Sequence, residues 1–129
     1  MANDIVLLDT SVLIDYFRKK DKSNTRLFQL ADIFSVFCIS SITEYEIYSG
    51  TTAEQSDFWN ELLSRITVIP FGSETVRAAV EINKDLKQKR KQINIADLFI
   101  AATATGNNLP FATLNKKHFE RVESLKLVV

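Results

Sequence analysis

The short apolar run Ile5-Val-Leu-Leu8, which ends abruptly at Asp9-Thr10-Ser11, constrains the fold of this chain more than any other stretch. A bounded run of this kind is typical of a strand that is buried on both faces, as in the centre of a parallel sheet. The polar residues that follow can accept hydrogen bonds from a first helical turn, so the strand is expected to lead into a helix. An acid at the carboxyl end of such a strand lies where open α/β sheets bind ligands. Taken alone, Asp9 is better explained as a helix cap.

Further short apolar runs alternate with helical patterns along the rest of the chain. Strands are predicted at 36–39, 66–70, 109–113 and 125–129. Strands that alternate with helices predict an α/β fold, with a central, mostly parallel sheet of four to five strands covered on both faces. With 129 residues, the chain is long enough for one domain, 1–129, and too short for two domains with separate cores.

Two predicted helices carry acids near their starts. Ser41 and Glu44 have the spacing of a capping box, which gives Glu44 a structural role. Glu46 points about 200° around the helix from Glu44 and therefore needs another explanation. Asn94 and Asp97 have the spacing of an N-cap and an N3 residue at the start of a helix that is apolar nearly all round. A carboxylate at the mouth of such a buried helix is unusual.

A long helix is predicted from Ser73 to about Lys91. Its predicted apolar side consists of Val76, Ala79, Val80 and Leu86, with Ile82 on the flank. Its last two turns, 84–91, hold five basic residues, including Lys87 and Arg90. These cations are either a solvated helix end that suits the helix dipole or a contact to a nucleic-acid phosphate backbone. In the preceding helix, Phe58 and Trp59 indicate core packing, with a subunit interface as the alternative.

Composition excludes several kinds of chemistry. The 16 basic and 16 acidic side chains give zero net charge, so a nucleic-acid surface would require local concentration of the cations. A single histidine, His118, excludes two-histidine ribonuclease chemistry and a multi-histidine zinc site. A single cysteine, Cys38, fits a core position and a reducing cytoplasm, and no signal-peptide pattern or membrane-length apolar run is visible.

Three acids occupy equivalent places in this predicted layout: Asp9, Glu46 and Asp97. Right-handed crossovers would bring them to one edge of the sheet, where they would repel one another unless a cation neutralised them. Oxygen ligands favour Mg²⁺ or Mn²⁺. Such a cluster with bound metal can activate water for phosphodiester hydrolysis. Metal-dependent hydrolysis is therefore the leading hypothesis from the residues themselves.

The residues also resemble a known family. The stretches that carry the resemblance are Asp9-Thr-Ser-Val-Leu-Ile14, Ile42-Thr-x-x-Glu46-Ile-x-x-Gly50, Asp97-Leu-Phe-Ile-Ala-Ala102 and Thr113-x-Asn115-x-x-His-Phe119. In order and spacing they are similar to the motifs of PIN-domain ribonucleases, and in size and arrangement to the VapC toxins of bacterial toxin–antitoxin pairs. The resemblance implies an α/β/α sandwich, Mg²⁺- or Mn²⁺-dependent endonucleolytic cleavage of RNA, a homodimer and a small antitoxin that inhibits the enzyme.

Residue by residue, the resemblance implies that Asp9, Glu46 and Asp97 are metal-binding and catalytic acids. Residues at the positions of substrate-lining or hydroxyl-bearing side chains are Thr10, Ser11, Thr113 and Asn115. His118 departs from the family pattern, because that position commonly holds a fourth acid. We expect His118 to support the site or contact substrate, and we expect one tightly bound ion rather than two.

Two alternatives differ in class from a metal-dependent ribonuclease. A phosphatase of the haloacid dehalogenase type also begins with an acid after the first strand, but it needs a second Asp where Ser11 stands. A PIN-like module that binds antitoxin or RNA without cutting is favoured only by His118. The intact acids argue against that module, because unneutralised carboxylates repel one another.

Overall fold

A computed structural model, which describes residues 4–129, places Ile5–Leu8 as strand β1 in the interior of a parallel sheet. The sheet has four strands in the order β3-β2-β1-β4, and every pair of neighbours is parallel. The other strands are β2 (Val36–Ser40), β3 (Thr67–Ile69) and β4 (Phe111–Ala112). All four strands therefore end at the same edge of the sheet, and the predicted α/β class is confirmed.

Helices connect the strands and cover both faces of the sheet. They are α1 (Thr10–Arg18), α2 (Arg26–Leu30), α3 (Ser41–Gly50), α4 (Ser56–Leu63), α5 (Ser73–Lys89), α6 (Ile95–Gly106) and α7 (Lys116–Phe119). Short 3₁₀ turns occupy Lys22–Asn24 and Ala53–Gln55. No helix within 4–129 is both long enough and apolar enough to cross a membrane.

The side chains of β1 explain the two-sided core. Val6 and Leu8 point into the core on one face, which includes Leu13 and Trp59, whereas Leu7 points into the core on the other. All three β1 side chains are fully buried. Because successive strand residues alternate between faces, a continuous apolar run is what a strand covered on both sides requires. Trp59 is 2% exposed, so its side chain serves core packing within this chain.

The carboxyl-terminal segment is not a fifth strand of the sheet. It makes one isolated parallel bridge, between Phe111 and Leu127. The backbone of Phe111 hydrogen-bonds to Lys126 on one side and to Val128 on the other, at 2.9 Å each. The prediction of a regular strand at 125–129 is therefore too long, since pairing stops after one residue. The four observed strands are at the lower end of the predicted number.

The predicted apolar side of α5 is wrong in part. The buried residues of α5 are Thr75, Ala79, Ile82 and Leu86, whereas Val76 and Val80 are 45% and 61% exposed. The buried set repeats at helical spacing, but it begins with a polar residue. Hydropathy therefore favoured a stripe that is rotated by one residue toward the two valines.

The end of α6 approaches the start of α5 very closely. A Cβ on Gly106 would lie 2.7 Å from the carbonyl oxygen of Glu74 and 3.3 Å from the backbone nitrogen of Thr75. Real Cβ atoms essentially never come so near another atom, and the neighbouring atoms here are backbone. Gly106 is therefore required by the packing of α6 on α5.

The burial of α5 predicts different costs for two aliphatic truncations on the same helix. Ile82→Ala should lower the free energy of unfolding by about 2–4 kcal/mol, because it leaves a cavity in the core. Val80→Ala should change it by less than about 0.5 kcal/mol, because the Val80 side chain is mostly exposed and alanine is the better helix former. Urea denaturation followed by circular dichroism measures both, and equal losses would contradict this assignment of the two faces.

Candidate active site

Asp9 follows β1 directly, at the edge of the sheet where the four parallel strands end. We call this edge the polar edge, and Asp9 is its most buried acid. Its side chain is only 5% exposed, although it begins helix α1 as the N-cap residue. The carboxylate makes no side-chain capping bond to that helix. The alternative that Asp9 is only a helix cap is therefore wrong, because its carboxylate is directed to other partners.

Two hydroxyl groups hold the carboxylate of Asp9. Ser11 and Thr113 each donate a hydrogen bond to Oδ2, both at 2.7 Å. The backbone N–H of Leu114 in turn donates to the Ser11 hydroxyl at 3.1 Å, and that of Asn115 donates to the Thr113 hydroxyl at 2.9 Å. The loop after β4 is thereby fastened to the end of β1, and one carboxylate oxygen is fixed in place.

The electrostatic environment of Asp9 disfavours its charged form. Burial raises the pKa of the Asp9 carboxyl above its ordinary value, hydroxyl hydrogen bonds from Thr113 and Ser11 oppose this rise, and the charge of Asp97 adds to it. No cation forms an ion pair with Asp9 in the part of the chain that the structure covers. A carboxylate in this position is one that a cation from solution would stabilise.

Glu46 lies on α3 and is held by the first residue of α1. The hydroxyl of Thr10 donates to Glu46 Oε1 at 2.7 Å and lies 3.0 Å from the hydroxyl of Thr43. The predicted capping box at the start of α3 is wrong, because Ser40 is the N-cap and accepts from the backbone N–H of Thr43. Glu44 consequently has no capping role, and only Glu46 is tied to the Asp9–Thr10 segment.

Asp97 lies in the first turn of α6, as predicted. Asn94 is the N-cap, and its side-chain oxygen accepts from the Asp97 backbone N–H at 2.9 Å. The Asn94 amide also donates to Asp97 Oδ2 at 2.9 Å, and His118 Nε2 lies 2.8 Å from the same oxygen. His118 therefore contacts one of the three predicted acids directly and helps to orient it.

The structure brings the predicted acids to one edge without forming a closed cluster. Asp9 and Asp97 interact electrostatically, and Glu46 is one residue removed from Asp9 through Thr10. Among residues 4–129, no group of three or more His, Cys, Asp or Glu side chains is close enough to hold a metal ion by itself. Asp97 is near enough for its charge to raise the pKa of Asp9, and Glu46 is joined to the Asp9–Thr10 segment through the Thr10 hydroxyl.

The other predicted site residues divide into two groups. Thr10, Ser11 and Thr113 contact the acids, and Asn115 does so indirectly through its backbone. Lys87 and Arg90 are exposed on and just after the end of α5, and neither forms a hydrogen bond or ion pair with an acid of the described site.

Sequence reasoning assigned no site role to two polar residues that support the acids. Thr43, which is fully buried, lies beside the Thr10 hydroxyl, and Asn94 binds the Asp97 carboxylate in addition to capping α6. Thr43 was visible in the Ile42-Thr-x-x-Glu46 stretch, three residues before the acid. The second bond of Asn94 follows from the reciprocal geometry of a capped first turn.

The chain is similar to known proteins over nearly its whole length. The model of the PIN domain family matches residues 6–125. Ribonuclease VapC1 of Methanocaldococcus jannaschii is 36% identical over 125 residues, which cover 96% of this chain and 85% of that protein. Ribonuclease VapC10 of Mycobacterium tuberculosis is 32% identical over 123 residues, which cover 95% of this chain and 91% of that protein.

Solved structures show the same fold. VapBC from Salmonella typhimurium bound to DNA matches with a TM-score of 0.83 and 26% identity, over 95% of this chain and 96% of that chain. VapBC2 from Rickettsia felis, bound to a DNA fragment from its promoter, matches with a TM-score of 0.80 and 28% identity, over 96% and 97%. Together with the family model and the VapC relatives, these matches show that the chain belongs to the PIN-domain family, in its VapC branch.

Proposed function

We propose that this chain is a single PIN-like domain that hydrolyses RNA phosphodiester bonds as a metal-dependent endoribonuclease, the toxin of a toxin–antitoxin pair. The observation that carries the proposal is the buried carboxylate of Asp9, which has Asp97 as its charged neighbour and forms no ion pair with any cation of residues 4–129. The relatives named ribonuclease, at more than 30% identity over nearly the whole chain, supply the reaction class.

The donor set fits a hard divalent cation. All three acids offer carboxylate oxygens, which Mg²⁺ and Mn²⁺ prefer, and the desolvated Asp9 gains most from neutralisation. Asp9 and Asp97 would hold the ion, and Glu46 would complete its surroundings. When bound, such an ion supplies an activated water and charge stabilisation for phosphodiester hydrolysis. We expect one ion, held by the two aspartates, because His118 stands where the family commonly has a fourth acid and is hydrogen-bonded to Asp97.

The surrounding residues of the chain orient the acids. Ser11 and Thr113 both donate to the same oxygen of Asp9 and thereby fix the orientation of its carboxylate. Thr10 directs Glu46 toward the same edge. His118 and Asn94 do the same for Asp97 by binding its Oδ2. Rigid placement of this kind lowers the reorganisation that a reaction requires.

We propose RNA as the substrate, with Thr113 and Asn115 at the wall of the site and Lys87 and Arg90 as more distant contacts to its phosphates. Thr113 and Asn115 line a surface depression of about 580 Å³ beside the acids. A second depression, of about 500 Å³, is lined by residues that include Thr10 and Ser11. The two depressions share Leu114, and we propose that a strand of RNA reaches the acids along this surface.

We propose a small antitoxin and a second copy of this chain as protein partners. The structural neighbours from Salmonella typhimurium and Rickettsia felis are VapBC complexes, which supports the antitoxin. The homodimer rests on the family resemblance. Because the side chain of Trp59 is buried within this chain, it is not available for contacts in a dimer interface. The buried free thiol of Cys38 agrees with a cytoplasmic setting.

The alternative of a PIN-like module that binds without cutting has little support in the site. His118 was the feature that favoured such a module. In the structure its Nε2 lies 2.8 Å from Asp97 Oδ2, so His118 supports one of the acids. The hydroxyl groups around Asp9 and Glu46 are all engaged with carboxylate oxygens. A module without metal chemistry would have no use for carboxylates fixed in this way.

Cleavage of a mixed cellular RNA pool by antitoxin-free protein tests the proposed activity. We expect discrete fragments with Mn²⁺ or Mg²⁺ and none with a chelator. Loss of an outer partner of a metal ligand typically costs about 10–100-fold, so loss of an acid in Asp97→Asn should reduce cleavage roughly 100-fold or more.

The matched pair on α3 refines this test. Glu46→Gln should also reduce cleavage, whereas Glu44→Gln, two residues away on the same helix, should cut at the wild-type rate. Fragments that persist in chelator, or equal effects of the two glutamine variants, would count against the proposed site.

Thermal unfolding tests the cation site without relying on activity. The raised pKa of Asp9 means that ionised Asp9 destabilises the folded state, and that this cost appears as pH rises above the ordinary carboxyl range. In chelator at pH about 7, Asp9→Asn should therefore melt a few degrees higher than wild type. Their difference should shrink as pH falls toward the ordinary carboxyl pKa and should be absent below about 4, where the carboxyl of wild type is protonated in both states.

Addition of Mn²⁺ should reverse that order. Binding to the folded state alone raises stability, so the melting temperature of wild type should rise with Mn²⁺ concentration while that of Asp9→Asn stays constant. Equal rises in the two proteins would place the ion elsewhere.

His118 should behave as a positioning residue. His118→Ala should reduce kcat by about 10–100-fold with little change in KM, because it frees the Asp97 carboxylate without removing it. His118→Gln should recover part of the loss, since an amide can donate to the same oxygen. Steady-state cleavage kinetics measure both, and a larger loss in His118→Ala than in Asp97→Asn would assign His118 a more direct role.

A further inference from the structure

A basic depression lies beside the candidate active site, between the end of α5 and α7. Its volume is about 620 Å³. It is lined by Arg90, Lys91, Gln92, Lys117, Glu120 and Arg121. Four of these six side chains are cations and one is an anion, in a chain whose net charge is zero. Positive charge is thus concentrated here on a protein of zero net charge, as contact with a phosphate backbone would require.

Among residues 4–129, no ion pair involves the four cations of this basic depression, although Glu120 also lines it and the Arg121 guanidinium donates to the carbonyl of Gln92 at 3.2 Å. Lys89, which lies within the same basic stretch, is paired with both Asp85 and Glu123. By contrast, Arg90, Lys91 and Lys117 form no ion pair within the described part of the chain. The basic residues at the end of α5 thus differ in their contacts. Lys89 forms ion pairs within the protein, whereas the charges of Arg90 and Lys91 are available to a ligand.

The backbone of Arg90 is in a conformation that favours glycine. Its φ and ψ are 55° and 41°, in the left-handed region. The N–H of Arg90 bonds to the carbonyl of Lys87, and that of Lys91 to the carbonyl of Leu86, which is the standard double closure of a helix end. Glycine is the usual residue at this position, since a Cβ costs folding free energy there. The positive φ of Arg90 therefore costs folding free energy that a glycine would not cost, which makes its side chain a candidate for a functional role.

The basic depression continues toward the acids through Lys117. Lys117 also lines the adjoining depression that contains Thr113 and Asn115. Thr113 donates to Asp9, and the residue after Lys117, His118, binds Asp97. A chain of phosphates that is cut near Asp9 and Asp97 would therefore reach Lys117 first and then Arg90.

From these observations we infer that the basic depression binds the sugar–phosphate backbone of the RNA substrate, away from the scissile bond. The inference rests on the proposed function for its substrate. It extends the predicted contacts from Lys87 and Arg90 to Lys91, Lys117 and Arg121. Arginine forks and lysine ammonium groups bind phosphate oxygens without reading bases, so this site contributes affinity and register rather than sequence preference.

Arg90→Gly separates binding from folding. The variant should melt a few degrees above wild type, because glycine accepts the left-handed conformation, yet it should bind RNA several-fold more weakly. Binding is measured by fluorescence anisotropy of labelled oligouridine with full-length protein in chelator. Asn108→Gly is the matched control: Asn108 also has a positive φ, of 56°, so that variant should bind RNA like wild type.

A second variant tests the charge of the depression directly. Lys117→Gln combined with Arg121→Gln should lower RNA affinity and reduce the magnitude of the slope of log Kd against log salt concentration by about 1.4, or about 0.7 for each phosphate that is no longer bound. Arg77→Gln removes one exposed cation from the same helix as Lys89, outside the depression, and should leave Kd and slope unchanged. In Mn²⁺, the double variant should raise KM for cleavage with kcat unaltered.

The outcomes distinguish this inference from the proposed function. Weaker RNA binding by Arg90→Gly and by the double variant supports the depression even if no preparation cuts RNA. Metal-dependent cleavage together with wild-type binding and salt slope in both variants would overturn the inference while leaving the ribonuclease intact. Labelled polyglutamate that binds wild type as tightly as oligouridine does, and fails to bind the same variants, would also overturn it and assign the depression to an acidic protein segment.

Discussion

The burial of one carboxylate at the end of the central strand is the constraint on which the polar edge of this molecule depends. Asp9 is 5% exposed and follows three fully buried residues of β1. Its hydroxyl partners come from the start of α1 and from the loop after β4, and backbone N–H groups hold those hydroxyls in turn. The segments that follow β1 and β4, the first and last strands along the chain, are therefore joined through a single carboxylate oxygen.

The same pattern of support recurs at each acid, with different chemistry. Hydroxyl groups hold Asp9 and Glu46, whereas an amide and an imidazole hold Asp97. Each carboxylate is thus held by hydroxyl, amide or imidazole groups rather than by lysine or arginine. Neutral donors orient an anion without cancelling its charge, so the attraction of the edge for a cation is preserved. Within residues 4–129, no lysine or arginine forms an ion pair with any of the three acids.

Sequence reasoning was most successful where a local pattern determines local structure. The alternation of short apolar runs with helices predicted the parallel sheet, and the Asn94–Asp97 spacing predicted the capped start of α6. It failed for the face of α5, because the stripe that includes exposed Val76 and Val80 is more apolar than the buried stripe that begins at Thr75.

The contacts between distant segments were beyond sequence reasoning. His118 and Asp97 are 21 residues apart, and their contact depends on how α7 packs beside α6. The left-handed turn after α5 was hidden because arginine, rather than glycine, occupies it. The placement of Asp9, Glu46 and Asp97 along one edge followed from topology, whereas their separation into a pair and a neighbour required atomic distances.

Because Gly106 has no side chain, α6 can pack closely on α5, and this affects the position of the opposite end of α6. Helix α6 has 12 residues, so its two ends are about 18 Å apart and move together as a stiff rod. A side chain at position 106 would displace α6 from the first turn of α5, because the atoms that it would meet are backbone. Asp97 is carried at the other end, so its depth relative to Asp9 is adjusted by a residue that never touches the polar edge. Altered alignment of the acids can therefore arise from mutations that a map of the site alone would overlook.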